Sequence, residues 1–140
     1  MYDKILLAVD GSTHALHAAH TAGEMARIMK SGHIYIVVVF NYIPAYLGEP
    51  NLQKVLDARL DEANLILDSA VAEVGAVPGK IHSELIEGNP AEAIIDVAKV
   101  RHVELIVMGS RGMGTLAGLL LGSTSQKVVS HADCPVLVVR

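Results

Sequence analysis

Short apolar runs alternate with longer amphipathic stretches along this chain. Four of the runs are rich in Ile, Val and Leu, at residues 3–9, 33–40, 103–109 and 135–139. Most of them are apolar at consecutive positions, which is typical of central strands in a parallel sheet that helices cover on both faces. A fifth run, 80–87, mixes polar and apolar residues and therefore predicts an edge strand.

The stretches between these runs have helical periodicity. From 12 to 30, steps of about 100° gather small residues on one face, namely Ala15, Ala18, Ala19, Ala22, Gly23 and Ala26. Residues 51–76 repeat apolar positions at helical spacing and predict a long amphipathic helix. Asn89 followed by Pro90 is a typical start signal for a third helix, and a fourth is predicted over 123–131.

The alternating order of elements determines the fold class. Five strands separated by four helices predict an α/β fold, an open five-stranded parallel sheet with helices on both faces. No repeat, low-complexity tract or shift of composition divides the chain, so residues 1–140 are expected to form a single domain. Ligands of such sheets bind at the carboxyl ends of the strands, where the winding direction reverses. The residues that directly follow each strand are therefore the ones to inspect.

Composition excludes several classes of protein. The net charge is −4, no Lys/Arg cluster is present and only 4% of residues are aromatic, so neither phosphate attraction nor base stacking indicates nucleic-acid binding. The apolar runs are much shorter than the roughly 20 residues needed to span a bilayer, and no signal-peptide pattern develops. We therefore expect a cytoplasmic protein without a membrane span. The single cysteine, Cys134, excludes an internal disulfide.

The stretch with the most specific chemistry is "VMGSRGMGTLAGLLLGST", residues 107–124, which contains five glycines. Gly109 and Gly112 follow a predicted strand, where glycine permits a positive φ and leaves the backbone N–H groups accessible to a ligand. The predicted last helix opens with Gly122, Ser123 and Thr124, and the unpaired amides and positive dipole at such a helix end attract an anion. The pattern therefore predicts a phosphate-binding loop, although it is neither a Walker A loop nor a GxGxxG turn.

The spacing of these glycines is also a family signature. Gly109, two residues, Gly112, nine residues and then Gly122-Ser123 resembles the ATP-binding branch of the universal stress protein family. The resemblance covers essentially the whole chain through "KILLAVDGS", "EGNPAEAIIDVA", "ELIVMGSRG" and "LLLGSTSQKVVSHADCPVLVV", in that order. It implies a Rossmann-like strand order of 3-2-1-4-5, which brings the ends of the first and fourth strands to one pocket.

The resemblance further implies a set of site residues. Transferred position by position, it gives an adenine site lined by Ala8, Val39 and Met108, with Asp10 near the ribose or a metal-bound water and Gly109 against the sugar. The phosphate contacts would come from the backbone and hydroxyl groups of Gly112, Gly122, Ser123 and Thr124. This sequence lacks the Lys or Arg that relatives often carry between Gly112 and Gly122. Arg111 is therefore the only Lys or Arg in the stretch from Gly109 to Gln126. We therefore expect Mg²⁺ or Mn²⁺ to accompany a bound ATP through its phosphates, or a preference for ADP or AMP.

The function that the resemblance implies is regulation rather than catalysis. It indicates a protein of the stress response that couples adenine-nucleotide occupancy to a regulatory protein partner. The loop offers no carboxylate or histidine to orient an attacking water, so any ATPase activity is expected to be slow. Two alternatives stay open: a slow metal-dependent nucleotide hydrolase or transferase centred on Asp10, and an interaction module that binds no nucleotide.

Two groups of polar residues also have simpler interpretations. Asp10 directly precedes "GST" and could cap the first helix instead of, or in addition to, contacting a ligand. His14, His17 and His20 recur every third residue, which could suggest a metal site. A solvent-exposed helix face is the interpretation we adopt, because the pattern offers them few further ligands. No protein-held metal is predicted.

The final apolar run, "PVLVV", would leave an uncovered strand at the end of the sheet. Such edges promote aggregation unless they are paired or buried. A homodimer joined along residues 136–139 is the simplest way to pair this edge, and the family resemblance implies the same arrangement.

Overall fold

The computed structural model describes residues 1–112 and 120–140, and these residues form a single five-stranded sheet flanked by helices. The strands are β1 (Lys4–Val9), β2 (His33–Phe40), β3 (Lys80–Glu87), β4 (Leu105–Gly109) and β5 (Val136–Val139). The helices are α1 (Thr13–Met29), α2 (Asn51–Val74), α3 (Pro90–Val100) and α4 (Ser123–His131). The order across the sheet is β3-β2-β1-β4-β5 and every neighbouring pair is parallel, which confirms the predicted fold class and strand order.

The helices cover both faces of the sheet because the strand side chains alternate between two apolar cores. In β2, Ile34 and Ile36 pack with α1 and α2, whereas Tyr35 and Val37 pack on the α3 side. The face of α1 that is buried consists of the six predicted small residues. Small side chains let the helix backbone approach the sheet closely, and this approach is used at the site described below.

Side-chain caps mark where α1 and α3 begin. The Ser12 side chain accepts a hydrogen bond from the Ala15 N–H at 3.2 Å and caps α1. Asn89 accepts from the Glu92 N–H at 3.2 Å, and Pro90 is the first residue of α3, as the sequence predicts. The segment 41–50, between β2 and α2, contains one 3-10 turn, Ala45–Leu47.

Two predicted boundaries were wrong by two residues, each for a local reason. The helix predicted to reach residue 76 ends at Val74, because Gly75 leaves the helical conformation with a φ of 74°. The strand predicted from residue 103 begins at Leu105, because the N–H of Val103 donates to the carbonyl of Ala98 and so belongs to the end of α3. Among the helices of the described ranges, none has the length and apolar character required to cross a membrane.

Candidate functional site

A cavity of about 320 Å³ opens at the carboxyl edge of the sheet, where β1 and β4 lie side by side. Its size is within the usual range for small-molecule sites in proteins. The described lining includes all ten residues that the sequence assigned to a site: Ala8, Asp10, Val39, Met108, Gly109, Arg111, Gly112, Gly122, Ser123 and Thr124. The fold therefore brings together residues that are more than a hundred positions apart in the chain.

One end of the cavity is apolar. The strand register places Ala8 of β1 directly between Val37 of β2 and Met108 of β4. Val39 follows two residues after Val37, so both side chains lie on the same face of β2. Ala8 and Met108 are buried, whereas Val39 is half-buried. This end can bury an apolar or aromatic group against the tips of three strands.

The other end is formed by the first turn of α4. Gly122 is the N-cap and provides no side chain to cap the helix. Among the described residues, no hydrogen bond engages the N–H groups of Ser123 and Thr124, which belong to the first turn, where amides have no acceptor within the helix. These amides and the helix dipole give this end a positive potential that suits an anion.

Gly122 itself differs from the expectation. Its N–H donates to the carbonyl oxygen of Ser110 at 2.6 Å, so this amide is already satisfied by the protein. The residue is buried and lines the cavity. Gly122 can therefore contribute space to the cavity, but its amide is not free for a ligand.

A positive φ is not the reason for glycine at positions 109 and 112. Neither Gly109 nor Gly112 adopts one; Gly11, which the sequence analysis did not single out, has a φ of 88°. A Cβ on Gly109 would lie 2.9 Å from atoms of His14 and Ala15, so glycine is required by the close packing of α1. A Cβ on Gly112 would lie 2.8 Å from Oδ2 of Asp10, which places that carboxylate at the cavity wall.

Asp10 stabilises the turn that leads into α1. Its Oδ1 accepts a hydrogen bond from the Ser12 N–H at 2.9 Å. Because Ser12 is the residue that caps the helix, the capping interpretation of Asp10 is replaced by a turn-stabilising one. The side chain is exposed at the cavity, so its second oxygen is accessible to a ligand.

The charges around the cavity are few. Among the described lining residues, Asp10 is the single carboxylate and Arg111 the single cation. Within the ranges that the structure describes, no group of three or more His, Cys, Asp or Glu side chains is placed to hold a metal ion. Most of the uncharged segment between Gly112 and Gly122 falls on residues 113–119, outside the described residues.

Several lining residues were missed by the sequence analysis. They are Val9, Ser12, Ala15, Val37, Pro90 and Ser125. Val37 could have been found from strand alternation with Val39, and Ser125 from its position in the first turn of the last helix. Pro90 brings the start of α3 to the cavity wall, which only the observed sheet order reveals.

The three spaced histidines have different environments. His17 and His20 are exposed, as the sequence predicts for a solvent-facing helix surface. His14 differs from that prediction: it is half-buried, and its Nδ1 lies 2.7 Å from Oγ of Ser110. The residue thus links the first turn of α1 to the loop that follows β4.

Comparisons with known proteins agree with this architecture. A universal stress protein of Thermus aquaticus is 44% identical over 140 residues, which is the full length of both chains. The universal stress protein UspA of Lactobacillus plantarum superposes with a TM-score of 0.86 at 30% identity, covering 99% of this chain and 98% of that one. A further universal stress protein, solved in complex with cAMP, superposes with a TM-score of 0.70 at 27% identity, covering 99% of this chain and 97% of that one.

The family model described as "Universal stress protein family" matches residues 1–140, the same span over which the sequence motifs occur. This match, the full-length relative and the shared fold lead to one conclusion. The chain belongs to the universal stress protein family.

Proposed function

We propose that this chain binds an adenine nucleotide in the cavity at the ends of β1 and β4. The observation that carries the proposal is the division of the cavity into an apolar end formed by three strands and an anion-attracting end formed by the start of α4. A nucleotide has the same two-part chemistry, an uncharged flat base and a charged phosphate group. The relative that was solved with cAMP supports the proposal, because cAMP is itself an adenine nucleotide.

In the proposed complex the base lies against Ala8, Val39 and Met108, with Asp10 and Gly109 beside the sugar. Phosphates face Gly112 and the first turn of α4, with amides and hydroxyls supplied by Ser123 and Thr124. The satisfied amide of Gly122 makes these two residues the main donors.

Neutralising the phosphates would need more than the protein supplies. Arg111 and one helix end, worth about 0.3–1 kcal/mol, oppose the several negative charges of ATP. Mg²⁺ or Mn²⁺ bound through the phosphates would supply the missing positive charge. Asp10, whose Oδ2 lies beside Gly112 at the cavity wall, would orient a metal-bound water. A preference for ADP or AMP is the alternative way to limit the negative charge.

The proposed biological role is regulatory: a homodimer in the stress response whose nucleotide occupancy alters its contact with a protein partner. The dimer would form along β5, the terminal strand of the sheet. Each residue of β5 is only half-buried within the described chain, which supports a further partner at this edge.

The first test identifies the ligand and its site. We expect mass spectrometry of molecules released from denatured, purified protein to find an adenine nucleotide, and calorimetry to measure its binding. Gly122→Val should lower the affinity by at least about tenfold, or 1.4 kcal/mol, because its side chain would occupy the cavity beside the α4 amides. The backbone at Gly122, with φ −71° and ψ 168°, is a conformation that valine adopts readily, so the fold should persist.

The control is Ser83→Val, at an exposed position of the edge strand β3. It should bind nucleotide like the wild type. Unchanged affinity in Gly122→Val would refute the placement of the phosphates. A wild-type protein that binds no adenine nucleotide would refute the function and favour an interaction module.

A further inference from the structure

Ser110, the residue directly after β4, has every polar group engaged although its side chain is not part of the cavity lining. It is only 2% exposed. Its N–H donates to the carbonyl of Val139 in β5 at 2.7 Å, and its own carbonyl accepts from the Gly122 N–H at 2.6 Å. The same carbonyl accepts from Oγ of Ser125 at 2.9 Å, and Oγ of Ser110 is paired with Nδ1 of His14 at 2.7 Å. One residue therefore connects β4, β5, α4 and α1.

Two of these bonds fix the start of α4. Gly122 is its N-cap and Ser125 lies in its first turn, so both bonds to the Ser110 carbonyl hold the same helix end. The side chain of the same residue is paired with His14, so Ser110 is held from its side chain as well as from its backbone. His14 is itself fixed, because Gly109 allows the first turn of α1 to pack tightly against β4.

Precise placement matters for amides that bind an anion. Binding groups must be held within about 0.5 Å of their productive position, usually by surrounding hydrogen bonds. The Ser123 and Thr124 amides lie between Gly122 and Ser125, the two points where α4 is tied to Ser110. Loosening the Ser110 anchor would therefore move these amides and leave the apolar end of the cavity in place.

We propose that Ser110 and His14 are positioning residues that set the α4 amides against the phosphates of the nucleotide. The proposal rests on the proposed function and adds residues that do not line the cavity. The proposal predicts that the pair affects the affinity for ligands that carry phosphates and does not affect the affinity for the nucleoside alone.

The test compares the affinities of ATP and adenosine in each variant by calorimetry. Ser110→Ala removes one buried hydrogen bond near the phosphates, so ATP affinity should fall about 3- to 10-fold while adenosine affinity stays unchanged. His14→Ala removes the same hydrogen bond and leaves Ser110 itself unchanged, so it should give the same selective loss. It provides an independent test if the Ser110→Ala variant fails to fold. The double variant should lose little more than either single one, because both remove the same interaction.

Ser31→Ala is the matched control. Ser31 is also 2% exposed and its Oγ donates to the carbonyl of Tyr2 at 2.5 Å, but it lies just before β2, at the amino ends of the strands and away from the cavity. The loss of this hydrogen bond in Ser31→Ala should lower the thermal stability about as much as Ser110→Ala does. The ratio of ATP to adenosine affinity should stay at the wild-type value.

The outcomes separate the two proposals. If the wild type binds ATP more tightly than adenosine and neither variant changes that ratio, the positioning role is wrong and the proposed function stands. Equal losses for both ligands would also overturn it, because they would indicate general damage to the fold. If the wild type binds neither ligand, the proposed function itself fails.

Discussion

At the scale of single residues, two glycines beside the cavity are required for different physical reasons. Gly11 has a φ of 88°, a conformation in which a side chain would be strained. Gly109 has no such φ, but a Cβ there would lie 2.9 Å from the Cβ of His14. The first glycine allows the turn after β1, and the second allows α1 to approach the end of β4. Both conditions determine how the chain packs at the edge of the sheet where the cavity opens.

Cys134 illustrates how one residue's surroundings control its chemistry. It is half-buried between the end of α4 and the start of β5 and packs against the core on the α3 side. Burial, and secondarily the negative charge of Asp133, raise the pKa of the Cys134 thiol. A raised pKa leaves less thiolate at neutral pH, and the thiolate is the reactive form. The environment therefore favours a packed residue over a reactive one.

We expect Cys134 to react with iodoacetamide more slowly than free cysteine at neutral pH, and the rate to rise with pH. Asp133→Asn should accelerate the reaction because it removes one of the two causes of the raised pKa. The control is Asp61→Asn, at an exposed position of α2, on the opposite face of the sheet from Cys134. It should leave the rate unchanged. Alkylation followed by mass spectrometry measures the rates. A wild-type rate above that of free cysteine would contradict the prediction.

The sequence could identify these residues but not their individual constraints. All ten predicted site residues line the cavity, because they lie at or just after the carboxyl ends of parallel strands, or at the start of the last helix, and these points meet at one edge of an α/β sheet. The sequence shows a glycine at positions 11 and 109, but residue type alone does not reveal whether a turn, a ligand or helix packing requires it. The link between His14 and Ser110 joins residues 96 positions apart, and no local pattern encodes it.

At the scale of elements, the contact between α1 and α2 depends on Gly23 and Arg27. Gly23 packs against the carbonyl group of Val74, at the last turn of α2. One turn further along α1, the Arg27 Nη1 donates to the same carbonyl at 2.8 Å and to that of Ala76 at 3.1 Å. These bonds satisfy carbonyls that the end of a helix leaves unpaired. The small residue and the cation together hold the end of α2 against α1.

Gly23→Ala decides between two opposing effects. Helix propensity alone would favour alanine by about 1 kcal/mol. A Cβ at this position would overlap the Val74 carbonyl oxygen, and overpacking of a buried contact costs about 1–3 kcal/mol. Because the neighbour is backbone and cannot rotate away, we expect a net loss of stability in urea unfolding. Asn64→Ala, at an exposed position of α2, should be neutral or slightly stabilising, and equal gains in both variants would contradict the packing argument.

Element boundaries were predictable wherever a local signal marks them. The predicted limits 80–87 and 123–131 coincide with β3 and α4, and Asn89-Pro90 marks the start of α3. The end of α3 was not predictable in this way. His102 has a φ of 54°, and the N–H of Val103 donates back to the helix. Val103 is apolar, as strand residues are, but it completes the end of α3 instead of starting β4.

At the scale of the whole molecule, the sheet has two edges of different character. β3 is polar at many positions, whereas β5 is the apolar run "VLVV". The carbonyls of Pro135 and Val139 accept bonds from the β4 side. Because alternate residues of a parallel strand face opposite edges, the N–H of Val138 faces the outer edge. An apolar edge of this kind invites pairing with another strand.

Val138→Pro tests whether a second copy supplies that strand. Proline removes only the outward N–H and is tolerated in edge strands at such positions, so the bonds to β4 should survive. In analytical ultracentrifugation we expect a wild-type dimer and a variant whose dimer is weakened by at least about tenfold, which is 1.4 kcal/mol. The control is Ile28→Ser on α1, where an isoleucine is 80% exposed and offers a rival apolar contact. If Ile28→Ser dissociates the dimer and Val138→Pro does not, the subunits associate through the helical face instead of the strand edge.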